Sequence, residues 1–247
     1  MQARLARLAG FAESDVLRNR LKRAAPLLAR LPLDQANIDQ PEWAALLDAV
    51  TVQETRMFRA APQLAAFRTQ VLPLLARRGA LALVSAGCAT GEEAWTLAIL
   101  GTGAGVPWQV EGLDLCRPAL QAAMAARYRL GPPDALREVT AEDRALLEVA
   151  GDWFSPAPAL RAAVAFRRAN LLDAALPDRA ADAILCRNVL IYMTEEGRVA
   201  VLRRLAAALR PGGALLLGPT DRPPKGLGLV PWSRDLVGIW RRDMADG

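Results

Sequence analysis

The stretch that most restricts the fold of this chain is ALALVSAGCATGEEAWTLAIL, residues 80–100. A short apolar run ends in a glycine turn and passes at once into a helical pattern that opens with two glutamates, which reads as buried strand, tight turn and helix. The same rhythm continues downstream. WQVEGLD (108–114), DAILCRN (182–188) and GALLLG (213–218) read as strands, and RPALQAAMAARY (117–128) and EEGRVAVLRRLAAALR (195–210) read as helices. Strands separated by helices of this length make βαβ units, and βαβ units make a parallel sheet covered on both faces. The expected fold class is therefore α/β, a doubly wound, Rossmann-like sheet.

Two regions fall outside that rhythm. Residues 1 to about 50 read as helices only, with an amphipathic stretch over 14–30 and a second helix in DQPEWAALLDAV (39–50), where Asp39 is the expected cap and Pro41 a first-turn residue. Between Tyr128 and Phe166 come GPPDALREV, a helix expected over AEDRALLEVA (141–150), and WFSPAPALRAAVAF (153–166), which reads as a short hairpin. The expected organisation is a small all-helical N-terminal domain over 1–60, then a sheet domain over 61–247 carrying an inserted β-subdomain at about 129–166.

Composition narrows the class of protein. With 247 residues, 53% of them hydrophobic, the chain can bury one substantial core and a small appendage. No apolar run reaches the roughly 18 residues that span a bilayer, and MQARLARLAGFAESD lacks the apolar core of a secretory signal, so membrane insertion is not expected and the localisation reads as cytoplasmic. Cys88, Cys116 and Cys186 lack paired CxxC spacing, which argues for free thiols and against a metal site. The net charge of +5 is carried almost wholly by arginine, and it is not read as a nucleic-acid signature. DVLRNRLKR (15–23) does set Arg18, Lys22 and Arg23 opposite Leu17 and Leu21, a basic helix face that is either simply solvated or fitted to an acidic partner.

Ligands of open α/β sheets bind outside the carboxyl ends of the strands where strand order reverses, which points to the turn SAGCATGEE. Gly87 and Gly91 allow tight bending and close backbone approach to a ligand. Asp114 lies 27 residues after Gly87, where a carboxylate accepts hydrogen bonds from both ribose hydroxyls. That spacing suits S-adenosylmethionine and NAD alike. The turn separates them, because Ala89 and Glu92 replace glycines of the pyrophosphate-binding G-x-G-x-x-G, and a carboxylate there repels a pyrophosphate.

These residues, together with TVQETRMFR (51–59), NLLD (170–173), CRNVLIYM (186–193) and PGGALLLGPTD (211–221), resemble the CheR family of chemotaxis receptor glutamate methyltransferases over about Thr51 to Asp221. The resemblance implies a class I methyltransferase sheet using S-adenosyl-L-methionine and releasing S-adenosyl-L-homocysteine. It implies cofactor contacts from Gln53, Thr55, Arg59, Ala86, Gly87, Glu93, Asp114, Leu115, Asn170, Leu171, Arg187 and Asn188, with Tyr192 bordering the transferred methyl group. Asn170 would meet the adenine edge and Leu171 its face.

A glutamate acceptor, with an unperturbed pKa of roughly 4.3, is ionised at neutral pH and needs no general base, consistent with a sequence that contains no histidine. Arg59 and Tyr192 are the candidates to orient that carboxylate. The resemblance implies an acidic or coiled-coil, chemoreceptor-like protein substrate, no nucleic acid, and a monomeric enzyme. Gln53, Met57, Trp95, Cys116 and the GPTD at 218–221 depart from the family pattern and leave the acceptor open. A regulatory module that binds the cofactor without turnover, and a methyltransferase for another acceptor, are the alternatives.

Overall fold

In the computed structural model, which describes residues 1–34, 36–132 and 134–244, the chain begins with α1 (Gln2–Ala9), α2 (Asp15–Arg23), α3 (Ala25–Leu28) and α4 (Pro41–Val50). Leu5, Leu17, Leu21, Trp43, Leu46 and Leu47 stand at helical spacing on the inner faces and share a core of their own. Ser14 caps α2 by accepting from the Leu17 N–H. The cap of α4 is Gln40 and not Asp39. With Pro41 as the first helical residue, the Gln40 side chain reaches the N–H groups of Glu42 and Trp43 at 3.0 Å, while the Asp39 carboxylate is engaged by Arg168 at 2.9 Å.

α5 (Ala61–Ala66) and α6 (Leu72–Ala76) are joined by a π-helical turn, Phe67–Val71. Pro73 supplies the reason: it has no N–H for the carbonyl one turn back, and a widened turn relieves the ring clash. The alternating region follows as β1 (Leu81–Ala86), α7 (Glu92–Thr102), β2 (Trp108–Asp114), α8 (Arg117–Ala125), β3 (Tyr128–Arg129), α9 (Ala141–Arg144), β4 (Leu147–Ala150), β5 (Trp153–Pro156), α10 (Pro158–Arg161), β6 (Val164–Arg168), β7 (Ala181–Cys186), α11 (Glu195–Ala208), β8 (Leu209–Leu217), β9 (Leu229–Pro231) and β10 (Ile239–Arg242).

The large sheet has the order β6-β2-β1-β7-β8-β10-β9, parallel from β6 to β8 and closed by the antiparallel β10 and β9. Strand order reverses between β1 and β7. The crevice expected of such a sheet therefore opens outside Ala86 and Cys186. Leu83, Val110, Leu185 and Leu216 bury one face of the sheet against α5 to α7, and Val84, Ile184 and Leu215 bury the other against Leu202 and Leu205 of α11.

Between β2 and β6 the chain differs from the reading of its sequence in two places. AEDRALLEVA is helical only over Ala141–Arg144, because Leu147–Ala150 pairs with β5 across the two-residue loop Gly151–Asp152, with Gly151 at φ +57°. WFSPAPALRAAVAF does not fold back on itself as a hairpin. Its first four residues are the central strand of a three-stranded antiparallel sheet, β3-β5-β4, and its end enters β6, which pairs in parallel with β2. Among the described residues no helix is long and apolar enough to cross a membrane.

Candidate active site

The turn after β1 is anchored before it meets any ligand. The N–H groups of Gly87 and Cys88 both donate to the Leu113 carbonyl, at 2.8 and 2.9 Å. Asp114, at the end of β2, accepts from the Ala89 N–H on one carboxylate oxygen and from the Cys116 N–H on the other, each at 2.8 Å. Burial pushes its pKa above the usual aspartate range, opposed by those backbone donors. Each oxygen keeps lone-pair capacity, and the residue lines a cleft at the crevice of the sheet. A carboxylate held this way is fitted to a pair of hydroxyl donors, as on a ribose.

The other wall carries a buried ion pair. Glu93, in the first turn of α7, accepts from Ser85 Oγ and from Arg187 Nε, both at 2.8 Å. Arg187 follows β7 and also donates to the Arg59 carbonyl at 2.6 Å, so the switch point is tied to the segment before α5. Arg59 itself donates to the Glu54 carbonyl at 2.7 Å. Asn188 takes the left-handed conformation at φ +59°, and the 3₁₀ turn Leu190–Tyr192 follows directly.

Of the residues named from sequence, Thr55, Arg59, Gly87, Glu93 and Asp114 line this single cleft, and so do Leu115, Asn170, Leu171, Arg187, Asn188 and Tyr192. Two stand apart. Gln53 donates to Cys116 Sγ at 2.6 Å, outside the lining, and Ala86 is fully buried beneath the turn. The Asn170 amide is largely spent on the protein: Nδ2 donates to the Leu8 carbonyl at 2.8 Å and the oxygen accepts from Leu172. One N–H remains for an adenine edge.

Gly87 and Gly91 take the left-handed backbone, at φ +83° and +96°, that a tight turn requires, and they have a packing role as well. A Cβ on Gly87 would stand 2.4 Å from Val189 Cγ2, and one on Gly91 would stand 2.7 Å from Ala123 Cβ. Both make room for protein: Gly87 lets the loop after β7 close over the turn, and Gly91 lets α7 approach α8. Glu92 is likewise turned away from the lining, held by Thr90 Oγ1 at 2.6 Å with its pKa raised by burial. Residues missed altogether are Ala9, Phe11, Ala12, Val16, Leu17 and Val50, which bring the N-terminal helices onto the cleft. Their apolar spacing carries no signal that separates a cleft wall from an ordinary helical core.

Sheet order, turn and carboxylate together define an S-adenosylmethionine-dependent methyltransferase of the doubly wound class. Residues 53–226 match the family described as CheR methyltransferase, SAM binding domain. The chain is 33% identical over 190 residues to the chemotaxis protein methyltransferase of Listeria innocua, covering 72% of this chain and 70% of that one. It is 33% identical over 196 residues to chemotaxis protein methyltransferase 1 of Pseudomonas aeruginosa, covering 71% and 68%. It is 34% identical to the probable biofilm formation methyltransferase WspC of the same organism, covering 73% of this chain and 44% of that one. Among solved structures, S-adenosylmethionine-dependent methyltransferases from Mesorhizobium loti (22% identity, TM-score 0.36, 61% of this chain and 54% of that one) and Listeria monocytogenes (putative; 14%, 0.39, 64% and 55%) are distant likenesses, and the assignment does not rest on them. The chain belongs to the CheR methyltransferase family, and its cofactor is S-adenosylmethionine.

Proposed function

We propose that the protein is a protein-glutamate O-methyltransferase that works as a monomer in the cytoplasm on an acidic or coiled-coil segment of a chemoreceptor-like signalling protein. The observation that supports this most is the chemistry of the cleft wall, whose ionisable side chains are Glu54, Arg59, Glu93, Asp114, Arg187 and Tyr192. An amine or alcohol acceptor needs a proton sink. Asp114 and Glu93 are held by backbone and ion-pair partners, and Glu54 is largely exposed beside Arg59. A glutamate carboxylate is already ionised at neutral pH and needs no such sink.

S-adenosylmethionine supplies, when bound, an electrophilic methyl group on a sulfonium sulfur. The chain's part is to hold and to exclude. Asp114 would take the ribose hydroxyls, Leu115 and Leu171 the adenine faces, and the Glu93–Arg187 pair the methionyl end. Arg59 and Tyr192 would orient the acceptor carboxylate for in-line attack, while Phe11, Val189 and Met193 keep water out. Lys22 and Arg23, exposed on α2, would meet an acidic segment; Arg18 on the same face already pairs with Asp15 and Glu13. The names of the relatives support a chemoreceptor as partner.

The test is incubation with methyl-labelled S-adenosylmethionine and chemoreceptor-bearing membranes, followed by mild alkali. Label released as methanol supports a glutamyl ester. Alkali-stable label, or tight cofactor binding with no transfer, would overturn it.

A further inference from the structure

The short connection between α1 and α2 is fastened to the loop that carries Tyr192. The Thr194 N–H donates to the Gly10 carbonyl and the Ala12 N–H donates to the Tyr192 carbonyl, each at 2.8 Å. Between these two bonds Phe11 and Met193 form an antiparallel bridge. The approach depends on Gly10, which sits at φ +72° and whose Cβ, if present, would lie 2.7 Å from Met193 Cε. On its far side Gly10 touches Gly197 in the first turn of α11, where a Cβ would lie 3.4 Å from the Gly10 Cα. Asn170 adds a third hydrogen bond, 2.8 Å from its Nδ2 to the Leu8 carbonyl.

Tyr192 ends a single 3₁₀ turn, a structure with little restraint of its own. Its N–H donates to Val189 within the turn at 3.1 Å, but its carbonyl is held from outside, by Ala12. The same residues face the ligand: Ala9, Phe11 and Ala12 line the cleft beside Tyr192 and Met193. We propose that residues 8–12 are a positioning strap, which sets the orientation of Tyr192 and closes the cofactor cleft on its N-terminal side. This rests on the reading of Tyr192 as the group beside the transferred methyl. It makes the N-terminal segment part of the methyl-transfer site as well as a surface for the partner.

The sequence contains two tyrosines, so 3-fluorotyrosine labelling of the full chain gives two ¹⁹F resonances, assigned with Tyr192→Phe. Tyr128 is the internal reference: it is buried, accepts from Trp95 Nε1 and donates to the Thr90 carbonyl. Ala12→Pro deletes the N–H that holds the Tyr192 carbonyl. The Tyr192 resonance should shift while that of Tyr128 stays, and the calorimetric Kd for S-adenosylhomocysteine should rise roughly three- to tenfold, the worth of a lost hydrogen bond. Ala12→Gly, which restores the N–H, should return the line to its wild-type position.

An unmoved Tyr192 line with unchanged Kd would overturn the proposal. Should Ala12→Pro fail to fold, seen as collapse of the Tyr128 line, Gly10→Ala serves with the same expectations, since its strained φ and the approach of its Cβ to Met193 Cε act where the strap meets the Tyr192 loop. Neither readout involves a methyl acceptor, so a wrong glutamate assignment leaves this test standing. Conversely, base-labile product formed at the wild-type rate by a strap-broken variant would overturn the strap while sparing the assignment.

Discussion

Replacing Asp114 by alanine should remove most of the cofactor affinity, and the size of the loss follows from the bonds around it. Each carboxylate oxygen already accepts one backbone N–H at 2.8 Å, which leaves one further acceptor direction on each for a ribose hydroxyl. A hydrogen bond to a charged acceptor contributes about 1.5–3 kcal/mol, so two give roughly 3–6 kcal/mol, or about 10² to 10⁴ in Kd. Asparagine should rescue little. Its amide keeps one oxygen, and its NH₂ would face a backbone N–H that cannot accept.

The assay is calorimetric titration with S-adenosylhomocysteine, with thermal melting to confirm that the turn still folds. The pH dependence adds a second check. Because burial raises the Asp114 pKa, its contribution to fold stability is present in acid, below the pKa of an unfolded aspartate, and is lost as pH rises through the folded-state value. Cofactor affinity runs the other way, since ribose donors favour the ionised form: it should fall as pH drops through that raised value. Affinity within about threefold of wild type in a folded Asp114→Ala protein would refute the assignment of the ribose contact.

Arg187→Met should destabilise the fold by about 3–5 kcal/mol, because Glu93, with its side chain 10% exposed, would be left as an unpaired buried carboxylate; adding Glu93→Gln should recover part of the loss in a denaturant melt. Gly87→Ala should cost about 1–3 kcal/mol through its φ of +83° and the 2.4 Å approach to Val189, and Val189→Ala should restore only the steric share. Tyr192→Phe should lower kcat by about 10²-fold while leaving the Kd for S-adenosylhomocysteine nearly unchanged, and an unaltered kcat would remove the hydroxyl from the orienting role. Cys88 and Cys186 are buried and their thiols are pushed up by desolvation, so the native protein at pH 8 should resist maleimide while the denatured chain labels all three cysteines; native labelling at the denatured rate would contradict that burial.

Much of the molecule is legible in its sequence. WQVEGLD is β2 residue for residue, and the apolar runs at 81–86 and 182–186 fall within strands β1 and β7, because buried parallel strands are continuous apolar segments that sequence displays directly. The insert was less legible, since AEDRALLEVA has helical composition and the pairing of Val149 with Phe154 overrides it. The Gly151–Asp152 dipeptide is the local signal that would have marked the hairpin.

Site chemistry divides along the same line. Asp114, Glu93 and Arg187 are named by motif and spacing, because the ends of successive parallel strands must converge on one edge of the sheet. Their partners are not so named. That Arg187 neutralises Glu93, that Gly87 yields space to Val189, and that Asn170 reaches the Leu8 carbonyl depend on contacts between residues 94, 102 and 162 positions apart. Such contacts leave no periodic trace in the chain. By itself the sequence determined a doubly wound sheet with a nucleoside-binding edge and the family to which it belongs. Only the tertiary structure decided that the N-terminal helices form one wall of that edge and that the Tyr192 carbonyl is held by Ala12, because packing of distant apolar faces has no local code.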